Sequence, residues 1–103
     1  MVTFLSDNPS SCGIVKTDQD KVLIDFNEKP EAPKSALANA AIYAFEKEFL
    51  EEFVKIDQPY DFSKDVIDKF KGKIQTWLTN ETLIDIGTPK SLAKAQTFAL
   101  QNN

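Results

Sequence analysis

A chain of 103 residues makes one domain at most, and with 12 basic against 16 acidic side chains its net charge is −4. That surplus of acid removes the reward that nucleic acid or an anionic membrane gives a basic face, so neither is expected as a partner. Histidine is absent and Cys12 is the single cysteine, which excludes disulfide frameworks, Cys/His zinc sites and histidine-based triads. Any chemistry must come from carboxylates, lysines, hydroxyls, amides and the backbone.

The opening MVTFLSDNPSS has no basic stretch followed by a long apolar run and does not read as a signal peptide. No apolar run nears the roughly 20 residues that cross a bilayer, so a soluble, cytoplasmic protein is expected. Ser6 to Ser11 is a turn cluster of Asx, Ser and Pro residues. GIVKT (13–17) and KVLIDF (21–26) read as short strands joined by a hairpin connection at Asp18-Gln19-Asp20, with Ile14, Val22 and Ile24 expected in the core. A third strand is expected from Leu37 to Phe45, its alanines allowing close packing. In EKEFLEEFVK, Phe49, Leu50, Phe53 and Val54 recur at helical spacing, with Glu48, Glu51 and Glu52 on the solvated side. A second helix is expected over Asp61 to Lys71, with Phe62, Val66, Ile67 and Phe70 as its stripe, Asp61 or Ser63 as its cap and Gly72 as its stop. KIQTWLT reads as a strand with Trp77 facing away from Ile74, where a loop is expected to cover it. Thr88 and Pro89 then open a closing helix whose stripe runs through Leu92, Ala95, Ala99 and Leu100. Strands alternating loosely with helices predict an α/β fold, a layered mixed sheet with flanking helices.

Three places raise chemical possibilities. At Glu28-Lys29-Pro30 a strand ends on an acid and a base backed by a proline. Lys29 there is either a positioned charge suited to a phosphate or an ordinary exposed cation, and Glu28 either an acceptor for ligand hydroxyls or a solvated acid. Asn39, an amide in an apolar strand, is satisfied either by backbone or by ligand hydroxyls. Asp85, between two isoleucines and before a glycine turn, is either a turn-forming Asx residue or a carboxylate aimed at a cation.

The order SCGIV, FNEKPEAPKSALANAAIY, DFSKDVI and LIDIGTPKSLAKAQ resembles the C-terminal, acceptor half of the sugar-phosphate nucleotidyltransferases, and within them the mannose-1-phosphate and heptose-1-phosphate guanylyltransferase branch. The resemblance runs from about Met1 to Leu100. It implies a Rossmann-like partial domain over 1–103 that binds a sugar 1-phosphate, with a nucleoside triphosphate, GTP by this branch, as co-substrate. By the same resemblance the Gly13 backbone approaches the sugar, Glu28 accepts from its hydroxyls, Lys29 binds the sugar-phosphate, Asn39 contacts the sugar and Asp85 holds Mg²⁺.

Leu83 stands where many members have tryptophan, and Ala41 where many have glycine. The family's glycine-rich triphosphate loop has no counterpart, since Gly13, Gly72 and Gly87 are the only glycines and are scattered. The chain is therefore expected to be inactive alone, to associate with an N-terminal half or with its own copy through the GIVKT and ALANAAIYAF strands, or else to serve as a non-catalytic sugar-phosphate-binding or assembly module.

Overall fold

Short β-branched and aromatic runs form the strands β1 (Val2–Leu5), β2 (Gly13–Thr17), β3 (Leu23–Glu28), β4 (Leu37–Asn39) and β5 (Trp77–Leu78) of a single sheet in the order β3-β2-β4-β1-β5. The computed structural model describes residues 1–55 and 61–103. All neighbours are antiparallel except β1 and β5, which run parallel. With helices α1 (Lys47–Val54), α2 (Ile67–Lys69) and α3 (Pro89–Gln101) flanking it, this is the mixed-sheet α/β architecture expected from the sequence.

The β2–β3 hairpin forms as its turn chemistry predicts. Asp18 accepts the N–H groups of Asp20 and Val22 on Oδ1, each at 2.9 Å, and Lys21 takes the left-handed conformation at φ +64°. The strand it returns differs in detail from the alternation read in KVLIDF. Lys16 pairs with Asp25 but Thr17 pairs with Leu23, so β3 carries one extra residue, Ile24. This bulge turns Leu23 and Phe26 to the same face and leaves Ile24 43% exposed. Ile14 is buried as expected, but Val22 is only half-buried and Leu23 takes the core place assigned to Ile24.

The core joins Val15, Leu23 and Phe26 to Ile67 of α2, with Met1, Leu37, Tyr43, Phe62 and Ile74 packed around them. Ile14 and Ala38, paired across β2 and β4, are buried on the other face. Asp61, rather than Ser63, caps the helical stretch that brings Ile67 in: its Oδ1 accepts the Lys64 N–H at 3.1 Å, while its own N–H donates to Asp65 at 3.0 Å. The first turn, Phe62–Val66, is π-wound before α2 begins, and the chain leaves at Gly72 with φ +81°. Lys71 ties this end to the bulge, 2.7 Å from Asp68 and 3.1 Å from Asp25. On α1, Phe49 and Phe53 turn inward, but Leu50 and Val54 are 42% and 79% exposed. The α3 start holds the reciprocal cap implied by Thr88, whose Oγ1 accepts from Ser91 N–H while Ser91 Oγ accepts from Thr88 N–H, both at 3.1 Å.

Two expectations about the sheet are corrected. β2 and β4 lie inside it, each with a neighbour on both sides, and the edges are β3 and β5. The third strand ends at Asn39, not Phe45. Asn39 Oδ1 accepts the Ala41 N–H at 2.9 Å and Ala41 sits at φ +56°, a left-handed turn that no strand accommodates. Because an L-residue is strained there, Ala41→Gly is expected to raise stability by about 1 kcal/mol, read as a higher midpoint in thermal or urea unfolding.

KIQTWLT is only partly strand and serves as a strap. Its first half pairs with the start of β3: Leu23 N–H donates to Ile74 C=O at 2.9 Å and Thr76 N–H to Lys21 C=O at 2.9 Å. Its second half pairs with β1: the Met1 amine donates to Gln75 C=O, and Trp77 N–H to Met1 C=O, both at 2.9 Å. The strap therefore bridges two strands that the sheet order separates by β2 and β4. Trp77 faces away from the core, 68% exposed and not under a loop.

Candidate functional site

At one end of the sheet, three of the residues singled out by sequence share a row. Gly13 pairs directly with Glu28 across the hairpin. Ile14 pairs with Ala38, and continuing that antiparallel register sets Gly13 level with Asn39. Residues opposite one another on adjacent strands share a face, so Glu28, Gly13 and Asn39 lie side by side on the core face where β3 and β4 end. The row continues to Thr3 of β1, which is buried.

Gly13 is glycine because the neighbouring side chains fold over it. A methyl there would meet Phe26 Cε2 at 2.7 Å and Glu28 Oε2 at 2.9 Å, with Phe26 Cζ closer still. In this structure the close approach to its backbone is thus made by Phe26 and the Glu28 carboxylate. Gly13→Ala must displace a buried ring and is expected to cost about 1–3 kcal/mol, measurable by denaturant unfolding.

Lys29 follows the row directly. Its N–H donates to Cys12 C=O at 3.0 Å, extending the β2–β3 ladder past Glu28. Its φ is +44°, a left-handed lysine that turns the chain into Pro30. Both Glu28 and Lys29 are exposed, and among the described residues neither has an ion-pair partner. They are free to meet a ligand, and a strained residue carrying a free charge is the kind of feature that gathers at binding sites.

Asn39 is held on both sides of its amide: Oδ1 accepts from Ala41, and Nδ2 donates to Tyr43 Oη at 2.7 Å. Backbone thus satisfies the oxygen of this amide, a side chain takes one N–H of its nitrogen, and the second N–H has no partner among the described residues. Tyr43 was not singled out by its sequence context, although its place four residues after an amide that opens an Asx turn is a usable signal. Burial pushes its phenol above the usual value; the Asn39 hydrogen bond opposes this, and the nearby Glu28 and Asp61 carboxylates add to it. A raised folded pKa means a contribution to stability that is complete below about 10, the ordinary tyrosine value, and is lost as pH rises through the folded value. Alkaline melting curves are expected to show that loss in the parent chain and less of it in Tyr43→Phe.

Asp85 stands apart. It is exposed, and its Oδ1 accepts the Gly87 N–H at 3.0 Å, the turn that leads to the Thr88 cap. Among the described residues no hydrogen bond or ion pair links it to the row, and no three acidic or cysteine side chains come together in a way that could hold a metal. A single exposed carboxylate nonetheless fits Mg²⁺, which takes one or two carboxylates with phosphate oxygens and water. A groove of about 700 Å³ lies elsewhere, over Phe45, Phe49, Phe62 and Phe70, and of the residues at the site it reaches only Tyr43. Among the described residues no helix is long and apolar enough to cross a membrane.

Residues 1–102 match the nucleotidyl transferase family. The chain belongs to that family. Glucose-1-phosphate adenylyltransferase of Clostridium acetobutylicum is 35% identical over 102 residues, covering 91% of this chain and 27% of the relative. The enzyme of the same name from Thermotoga neapolitana is 36% identical over 98 residues, covering 86% and 23%, and that from Bacillus cereus 33% identical over 105 residues, covering 93% and 28%. This nucleotidyl transferase chain thus spans about a quarter of the length of the curated relatives it matches. Their names carry an adenylyl group, where the sequence resemblance pointed to a guanylyl branch.

Proposed function

We propose that this chain supplies the sugar 1-phosphate half of a nucleotidyl transferase site, which makes a nucleotide-sugar from a nucleoside triphosphate and a sugar 1-phosphate. The observation that carries the reading is the row Glu28–Gly13–Asn39 with, directly after it, the cation of Lys29, which has no ion-pair partner among the described residues. A sugar hydroxyl both donates and accepts, so it is matched by an acceptor-only carboxylate beside an amide with a spare N–H. The lysine then meets the phosphate as a point charge.

In the reaction, a phosphate oxygen of the sugar 1-phosphate attacks the α-phosphorus of the triphosphate. One P–O bond forms, the bond to the β-phosphate oxygen breaks, and pyrophosphate leaves with the electron pair. No side-chain nucleophile is required. This chain's part is to hold the acceptor phosphate in line and to offset with Lys29 the repulsion between two anions. Mg²⁺, when bound, supplies further charge neutralisation, and Asp85 is its proposed ligand in this chain.

The relatives' names favour adenine as the base and the sequence resemblance favours guanine, so both triphosphates belong in the test. Calorimetric titration of the chain with glucose 1-phosphate and with mannose 1-phosphate is expected to give saturable binding tighter than that of inorganic phosphate. Binding no tighter than inorganic phosphate overturns the reading. Pyrophosphate release from ATP or GTP is expected only after a matching N-terminal half is added; steady release by the chain alone would show that it is more than a half-site. The proposal extends to assembly, with a complementary half or a second copy as partner, and to a cytoplasmic location.

A further inference from the structure

We propose that Tyr43 is a positioning residue of this pocket, whose hydroxyl fixes the Asn39 amide so that its remaining N–H is presented to the sugar. The inference rests on the sugar 1-phosphate reading. It starts from a problem every amide side chain poses: the oxygen and nitrogen ends have nearly the same shape, and a free rotor presents either to a ligand. In this structure the ambiguity is removed from both ends. The Ala41 N–H can only donate, so the atom facing it at 2.9 Å must be Oδ1. The nitrogen is then the end that faces Tyr43 Oη at 2.7 Å. The phenol oxygen acts as acceptor in that bond, and one N–H of Asn39 remains uncommitted.

Tyr43 can impose this orientation because its ring is itself fixed. Its centroid lies 4.5 Å from Phe62 and 5.9 Å from Phe45, and the ring packs against the core of Val15, Leu23, Phe26 and Ile67. The hydroxyl is thus a rigid acceptor at the margin of the core, four residues along the chain from the amide it holds. The Asx turn at Ala41 brings the two together. Removing the hydroxyl would keep the ring and its packing but leave the amide held by the Ala41 N–H alone, with its nitrogen end unanchored.

The test is a double-variant cycle read by calorimetric titration with glucose 1-phosphate, using Tyr43→Phe, Asn39→Ala and the pair. Loss of one neutral hydrogen bond predicts that Tyr43→Phe weakens binding about three- to ten-fold. Since Tyr43 acts only through Asn39, the double variant is expected to bind like Asn39→Ala alone, within about two-fold. Thermal melts of each variant report the fold separately. Multiplicative losses would mean that Tyr43 acts independently of Asn39, and overturn the inference. So would an unchanged affinity in Tyr43→Phe with only its melting temperature lowered, the mark of a purely structural hydroxyl. If Asn39→Ala binds as the parent does, the inference fails while Glu28 and Lys29 can still carry the pocket. If the parent itself binds glucose 1-phosphate no better than inorganic phosphate, the underlying reading fails and takes the inference with it.

Discussion

Replacing Lys29 with alanine is expected to weaken sugar 1-phosphate binding by about 10- to 150-fold, the equivalent of a charge-assisted contact worth about 1.5–3 kcal/mol. Lys47→Ala is the matched control. Lys47 is 84% exposed and lies 3.7 Å from Glu51 on the same helix, an arrangement whose removal is close to neutral. The backbone at Lys29 supplies a second control. Because its φ is +44°, Lys29→Gly removes the charge and relieves the left-handed strain together. It is expected to bind as poorly as the alanine variant while exceeding it in stability by about 1 kcal/mol. Calorimetry and unfolding of the three variants separate the charge from the turn. Equal affinities for Lys29→Ala and Lys47→Ala would return Lys29 to the surface cations.

At micromolar concentration the chain is expected to scatter light as a dimer or larger species, which corresponds to about 8 kcal/mol or more of association free energy. The sheet indicates where. On the β3 edge Asp25, Asn27 and Glu28 are exposed and Asp25 is engaged by Lys71, the charged kind of edge that resists pairing. β5 is different: two residues long, bonded to β1 on one side, with Trp77 68% and Leu78 45% exposed and Leu5 of β1 68% exposed. A symmetric contact of this edge with its own copy would cover those side chains twice over. Trp77 is the only tryptophan, so its emission should shift to the blue with concentration. Trp77→Lys, which places a charge on the edge, is expected to return the chain to a monomer. A monodisperse parent at the same concentration overturns this expectation.

Local signals carried far in this sequence wherever a side chain bonds to its own backbone nearby. The Asp18 hairpin and the Asp61 and Thr88 caps are all of this type, and each depends on groups within four residues. What alternation could not show was the register. The bulge at Ile24 arises from pairing with Lys16 and Thr17 on another strand, and β2 and β4 lie inside the sheet because β4 pairs with both β2 and β1, strands distant from it in the chain. The left-handed Ala41 was hidden for another reason: alanine is a poor marker of such a turn, and the evidence for it lies in the side chain of Asn39. At the candidate site, residue type singled out Glu28, Lys29 and Asn39 and the family resemblance added Gly13, and the structure brings the four to one sheet end. Asp85 was legible only as an alternative, and it is the turn-forming role that the structure displays. Tyr43 escaped because its part is played through Asn39.

The strap over residues 73–79 has a further consequence, for the order in which the chain can assemble. The hairpin closes over a handful of residues, but the bond from the Met1 amine to Gln75 spans 74 positions, and loop-closure entropy must be met before such a contact returns anything. The strap is therefore the natural last step, after β2 and β3 have paired and Ile67 has found Leu23. Once in place, it hydrogen-bonds to both β1 and β3, so neither can fray without straining its grip on the other. Five short strands, the shortest of only two residues, thereby open and close as one cooperative unit instead of as separate ribbons.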